Sequence, residues 1–332
     1  MDLTENEIRP VQFDEGKNAA LQEDLAWLQR RRDAFINVPC PACLSERQKP
    51  AFDKFGFAFV KCLDCRTAYM SPRAPAAMLG DFYGRSILYE YWNRYIFPVS
   101  REARKAKLFR PRVERIQRLC DRLKVSRRVL VEVGAAHGMF CEEALAAKAF
   151  ERVVAVEPGQ ALAQTCRSLG IETINLPVEE LQGLSGAADV VVSFETIEHL
   201  FSPRDFLTKC YGILAPGGLL VLSCPNYEGF DIQVLGVKSE SLDAEHINLF
   251  NPDAMATMLK DCGFELLECS TPGELDAELV RTQVMDSRLD ISAQPFLKTL
   301  LVDRWEDLRR PFQTFLKDNR LSSHMWTVAR RP

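Results

Sequence analysis

The sequence predicts an α/β protein whose core is a parallel sheet covered by helices on both faces. From residue 128 onward, short aliphatic runs alternate with helix-length stretches: RVLVEV, VVAVE, ETINL, DVVVSF and GGLLVLS. Continuous aliphatic strands separated by helices mark a sheet buried on both sides. The first of these strands runs directly into a glycine turn and a helix start, VLVEVGAAHGMF, at 129–140. Glu157 then closes the next strand about twenty residues on, where nucleoside-binding α/β folds carry an acid.

The remaining elements follow in order. Residues 1–38 form an N-terminal helical region, with an amphipathic helix expected over 17–34 from Leu21, Leu25 and Leu28. Residues 39–72 hold CPAC, eighteen residues, then CLDC, so Cys40, Cys43, Cys62 and Cys65 match the spacing of a zinc ribbon. Each pair is expected on a tight turn, with the aromatic segment between them folding as a hairpin. Four thiolates close a zinc site, so its role would be structural. The other seven cysteines are scattered and read as small core residues.

Residues 73–125 read as a helical lid or linker. Its SILYEYWNRYIFPVSREARK segment either lines a substrate pocket or packs on the ribbon. The domain at 126–332 then carries a helix at 252–262, a strand at 264–270, a helical insertion at about 275–320 and a last strand in HMWTVAR.

Composition excludes several classes. The chain has 332 residues, is 47% hydrophobic and 27% charged, and carries a formal net charge of −4. The basic surplus that drives phosphate binding is absent, which disfavours nucleic acid as a partner. MDLTENEIRP lacks the basic start and apolar core of a signal peptide, and no apolar run is long enough to span a bilayer. A cytoplasmic location is therefore expected, where eleven cysteines stay reduced.

The glycine segment fits E/D-x-G-x-G-x-G with Glu132, Gly134, Ala136 and Gly138. It resembles the first motif of class I S-adenosylmethionine-dependent methyltransferases, and later motifs continue the resemblance in order over about 128–273 and the last ten residues. Ala136 departs from the family's glycine; either its methyl narrows the site or the position has negative φ. The resemblance implies a Rossmann-like seven-stranded sheet and S-adenosylmethionine as cofactor. It implies cofactor binding by Glu132, Gly134, Ala135, Ala136, Gly138, Glu157, Pro158, Val178, Glu179, Ser193 and Phe194.

SFETIEHL, at 193–200, lies at the mouth of such a sheet. If 195–199 form one helical turn, Glu195, Glu198 and His199 share a face. Three readings stay open. Glu195 sits near the cofactor's methionine end while Glu198 and His199 are structural hydrogen-bonders. Alternatively, Glu195, Glu198, His199 and His246 hold a divalent cation (Mg, Mn or Zn), since E-x-x-E-H with a downstream histidine resembles metal-dependent O-methyltransferases. In the third, His246 is a plain general base hydrogen-bonded by Glu245, similar to deoxysugar C-methyltransferases. The candidate catalytic residues are His246, Glu195 and His199.

The expected function is methyl transfer to a small molecule: a sugar, a sugar nucleotide or a natural-product or polysaccharide precursor. The alternatives are a zinc-ribbon RNA methyltransferase and a non-catalytic cofactor-bound scaffold. The sequence sets neither the acceptor atom nor the oligomeric state.

Overall fold

The computed structural model describes residues 4–332. The first long helix spans Asp14–Gln29 and buries Leu25 and Leu28. It stops short of the expected 34, because Arg30, Arg31, Arg32 and Asp33 offer no apolar side chain to bury, and a 3-10 turn at Arg32–Ala34 follows.

The ribbon then begins. Strand β1 (Gln48–Lys54) and strand β2 (Phe57–Cys62) form an antiparallel hairpin. Its turn is Phe55–Gly56, at φ 54° and 79°. Two consecutive positive φ values match the twist of the flanking strands. Strand β3 (Ala68–Met70) returns along β2. The segment from 76 to 123 is a chain of helices, beginning at Ala76–Arg85 and ending at Arg110–Leu123.

The main sheet is built from β4 (Val129–Val133), β5 (Arg152–Val156), β6 (Glu172–Ile174), β7 (Ala188–Phe194) and β8 (Leu214–Pro225). The two-residue β9 (Asn248–Leu249) leaves this sheet and pairs with β3, so the ribbon sheet runs β1-β2-β3-β9. Strands β10 (Glu265–Ser270) and β11 (His324–Arg330) complete seven strands in the order β10-β11-β8-β7-β4-β5-β6, with β11 antiparallel to both neighbours.

Alternation along β4 explains the layering. Val131 and Val133 face one core, shared with the helices Pro203–Ile213 and Pro252–Asp261 and with Cys40, Cys62 and Tyr69 of the ribbon. Leu130 faces the other, shared with Arg110–Leu123 through Val113, Ile116 and Leu119. All seven positions of β7 are buried, as a strand covered on both faces requires. The insertion packs helices Asp276–Met285 and Trp305–Asp318 around Val280, Leu301 and Trp305. Among the described residues no helix is long and apolar enough to cross a membrane.

Candidate active site

Strand order reverses between β4 and β7, and in open α/β sheets ligands bind outside the carboxyl ends of the strands at such a point. Gly134 follows β4 at φ 78°, and a Cβ there would lie 2.6 Å from Thr196 Oγ1. The loops after β4 and β7 therefore touch only because that side chain is absent. Gly138 sits at φ 65°, where a Cβ would meet Ile171 Cδ1 at 2.7 Å and Cys166 Sγ at 3.0 Å.

Ala136 has φ 47°, so the negative-φ alternative is wrong; the residue takes a left-handed conformation without being glycine. The reason is visible beside it. The Ala136 amide donates to Glu157 Oε2 at 2.8 Å, and the Gly159 amide donates to Oε1 at 2.8 Å. Glu157 is buried at the end of β5, and burial pushes its carboxyl above the usual range. A carboxylate offers about four acceptor sites, so two remain for other donors. That spare capacity fits the two hydroxyls of a ribose. Neighbouring Pro158 is exposed, with its carbonyl accepting from Asn175 Nδ2 at 2.8 Å.

Glu132 is buried within β4 and accepts from the Cys141 thiol at 3.0 Å; burial pushes its carboxyl up to about 8. Ala135 is buried in the loop. Val178 is buried and Glu179 exposed in a 3-10 turn at Val178–Glu180. The Ser193 hydroxyl is spent inside the sheet, donating to Val133 O at 2.8 Å. The Phe194 ring is core, stacked on Trp326 with centroids 5.8 Å apart.

The expected single turn over 195–199 does not form. Glu195 has φ 50°, and the 3-10 turn starts only at Ile197. The left-handed residue swings Glu195 away from Glu198 and His199. Its carboxylate accepts from Ser223 Oγ at 2.5 Å and lies 3.5 Å from His324 Nε2. Arg112 completes this group, 3.3 Å from His324 Nε2 and stacked over Phe194. Removal from water would lift the Glu195 carboxyl, but His324, Arg112 and Ser223 hold it below its usual value.

Glu198, His199 and His246 do converge, with one ligand atom of each within 4.8 Å of the others. His199 donates Nδ1–H to Glu245 O at 3.1 Å, and His246 donates Nδ1–H to Ser241 O at 2.9 Å. A carbonyl can only accept, so both protons sit on Nδ1 and both Nε2 lone pairs are free. Glu198 is 1% exposed, and neither carboxylate oxygen has a partner. Burial, then the nearby Glu195 charge, push it well above the carboxylate range.

The expected hydrogen bond from the Glu245 side chain to His246 is not made. Asp243 Oδ1 closes this turn, accepting from the Glu245 and His246 amides at 2.9 and 2.7 Å, while His246 Nδ1 is taken by Ser241 O and Glu245 Oε1 has no partner among the described residues. From the helical segment at 73–125, the Tyr83 hydroxyl donates to His199 O at 3.2 Å, and Asn93 Oδ1 lies 2.7 Å from His137 Nε2 in the glycine loop.

In the ribbon, Cys40 and Cys65 sulfurs lie 3.4 Å apart and Cys43 and Cys62 sulfurs 3.5 Å apart, with all four within 4.8 Å. Zinc–sulfur bonds of about 2.3 Å in a tetrahedron imply sulfur edges of about 3.8 Å. The four-thiolate set therefore fits a zinc ion.

The family profile described as "Methyltransferase domain" matches residues 101–269, just over half of the 332. The chain belongs to that methyltransferase-domain family. A Mycolicibacterium smegmatis protein named "Probable S-adenosylmethionine-dependent methyltransferase" is 29% identical over 154 residues, covering 45% of this chain and 56% of the relative. A ubiquinone biosynthesis O-methyltransferase of Cereibacter sphaeroides is 35% identical over 72 residues, 21% of this chain and 29% of the relative. The chain spans about half the length of the first of these curated relatives or less. The solved S-adenosylmethionine dependent methyltransferase from Mesorhizobium loti aligns with a TM-score of 0.40 at 14% identity, covering 62% of this chain and 92% of that one.

In this methyltransferase domain the sequence missed the residues that only strand pairing delivers. His324 lies outside any motif, yet β11 pairs with β8 so that His324 stands opposite Pro225 at the cleft. Arg112 lies among the closely spaced arginines of one helix, and no spacing singles it out.

Proposed function

We propose that the chain transfers a methyl group from S-adenosylmethionine to a small molecule. The acceptor class is a sugar, a sugar nucleotide or a natural-product or polysaccharide precursor. One observation carries the reading: Glu157, buried at the end of β5 and oriented by two loop amides, keeps acceptor sites for a ribose. When bound, S-adenosylmethionine supplies a sulfonium methyl group. The loop from Gly134 to Gly138, with Ala135 buried within it and Glu132 in the strand before it, shapes the path beside the cofactor. Val178 and Glu179 flank the base, and Ser193, Phe194 and Pro158 border the remaining sides.

His246 is the proton acceptor in this reading. Its Nδ1–H is fixed on Ser241 O, so Nε2 is the basic nitrogen. His199 holds the matching position across from it, and Glu195 borders the acceptor space, its carboxylate held by Ser223 and His324. The cysteine ribbon holds a structural zinc through Cys40, Cys43, Cys62 and Cys65. Working domain boundaries are 1–38, 39–72, 73–125 and 126–332.

A second reading has its own support. Two imidazoles oriented through Nδ1 and a buried carboxylate without partners form a donor set suited to Mg, Mn or Zn. A cation there would lower the pKa of an acceptor hydroxyl. Glu195 is outside this set as the chain now stands.

The deciding experiment is methyl transfer from isotope-labelled S-adenosylmethionine to separated pools of small metabolites, RNA and protein. Each pool is run with and without a chelator too mild to strip a four-thiolate zinc. Label in small molecules supports the main reading; its loss with chelator supports the cation. Label in RNA moves the substrate to nucleic acid. Cofactor binding with no label in any pool leaves a scaffold.

A further inference from the structure

We propose that Arg73 and Asn248 are positioning residues that make the cysteine ribbon a structural part of the cleft. They do so by holding the turn that carries Glu198 and His199. This inference rests on the reading of the cleft given above.

Arg73 follows β3, the last strand contributed by the ribbon segment, and is 2% exposed. Among the described residues no carboxylate pairs with it. Its Nη1 donates to Asn248 Oδ1 at 2.8 Å, its Nη2 donates to Phe201 O at 2.5 Å, and its Nε has no partner. Burying a cation among neutral acceptors is costly. What the fold gains is geometry, because a planar fork fixes two acceptors at once.

One of those acceptors is the lever. With Oδ1 taken by the guanidinium, the Asn248 amide nitrogen must face the other way. There it donates to Leu200 O at 2.7 Å and reaches Glu198 O at 3.3 Å and Ile197 O at 3.4 Å. These carbonyls belong to the one-turn 3-10 helix Ile197–His199 and the residue after it. Ile197 O also accepts from Leu200 N, but the last carbonyls of a single turn have no partner within it, and the buried side-chain amide supplies one. Phe201, the next residue, is held by Arg73 itself through its carbonyl and through ring stacking at 4.8 Å.

The same ribbon edge also places the second imidazole. Met70 N donates to Ile247 O at 2.9 Å, and Tyr69 and Ala68 pair with Asn248 and Leu249. His246 therefore sits two residues before a strand whose only partner among the described residues is β3. Both imidazoles and the Glu198 carboxylate hang from one hydrogen-bonded joint between ribbon and cleft. Cys40 lies within electrostatic reach of the Arg73 guanidinium. A zinc held by four thiolates leaves net negative charge, which would offset the buried cation and tie the ribbon's metal to the joint.

The test uses the full chain with its ribbon metal in place. Only four histidines are present, so imidazole nitrogen NMR spectra can be assigned with His199→Asn and His246→Asn. Wild type should show both rings as fixed Nδ1–H tautomers. Asn248→Ala and Arg73→Lys should each keep the ribbon metal and S-adenosylmethionine affinity, while His199 loses the fixed Nδ1–H signal and averages between tautomers. Retention of the wild-type His199 signal in both variants would overturn the proposal. So would loss of the ribbon metal together with the signal in both, since the pair would then only stabilise the ribbon. If Asn248→Ala does not fold, Arg73→Lys decides alone, because it keeps the buried charge and removes only the fork. Failure of the methyltransferase reading would appear separately, as wild type that does not bind the cofactor whatever the tautomers do.

Discussion

His199 and His246 stand edge to face with 4.7 Å between ring centres, and each donates its Nδ1–H to a main-chain carbonyl. That leaves the two Nε2 lone pairs outside these hydrogen bonds, next to a carboxylate that has no partner of its own among the described residues. Buried polar groups usually satisfy one another, so this cluster is the place to test.

Glu198→Gln separates the cation reading from the plain-base reading. A buried carboxyl without partners is destabilising once ionised, so the neutral isostere should leave the metal-free protein as stable or more stable. Manganese titrated into the chelator-treated protein, followed by electron paramagnetic resonance, should bind to wild type and not to the variant. Equal binding to both would remove the cation from Glu198.

Glu157→Ala should weaken S-adenosylmethionine by about ten- to a hundredfold, since hydrogen bonds to a charged group are worth about 1.5–3 kcal/mol. Calorimetric titration reads this directly. Unchanged affinity would place the ribose elsewhere.

Glu132 sets a pH dependence. Burial raises its carboxyl from the usual 4.5 to about 8 in the folded chain. The folded state therefore holds this proton more tightly than the unfolded state. The stability it contributes is complete below about pH 4.5 and is lost as pH rises through about 8. Urea titrations across that window should show falling stability in wild type and a flatter profile in Glu132→Gln.

Cys62→Ser should take the ribbon zinc from one per chain to none and expose the β1–β3 amides to hydrogen exchange, because structural metal affinity is folding free energy. Cys262→Ser, outside the cluster, should keep the metal. Elemental analysis of both variants checks the assignment.

Trp326→Ala should cost about 3–5 kcal/mol. The ring is 2% exposed, stacked on Phe194 and capped by Arg115 at 4.4 Å. Denaturant unfolding measures the loss.

Much of this protein was legible in its sequence, for local reasons. The strands β4, β5, β7 and β8 are unbroken aliphatic runs, and burial on both faces demands nothing else of them. The glycine loop, the acid at Glu157 and the C-x2-C pairs announce themselves because turn geometry and thiolate spacing are short-range constraints. The Ser202 cap also follows the local rule, with its hydroxyl accepting from Asp205 N.

The tertiary structure decided what those residues face. A positive φ at Glu195 and Ala136 depends on neighbouring loops, not on side-chain preference. It moved Glu195 from its expected companions to His324 and Arg112, which arrive from distant elements. The pairing of β9 with β3 is a contact across about 180 residues between two ordinary short segments, with no periodicity to betray it. By itself the sequence determined the parallel sheet, the glycine loop and the thiolate set, because each is written in neighbouring residues. The arrangement of the cleft around Glu198, His199 and His246 came only from long-range pairing, because hydrogen bonds between remote strands and loops fix where those side chains point.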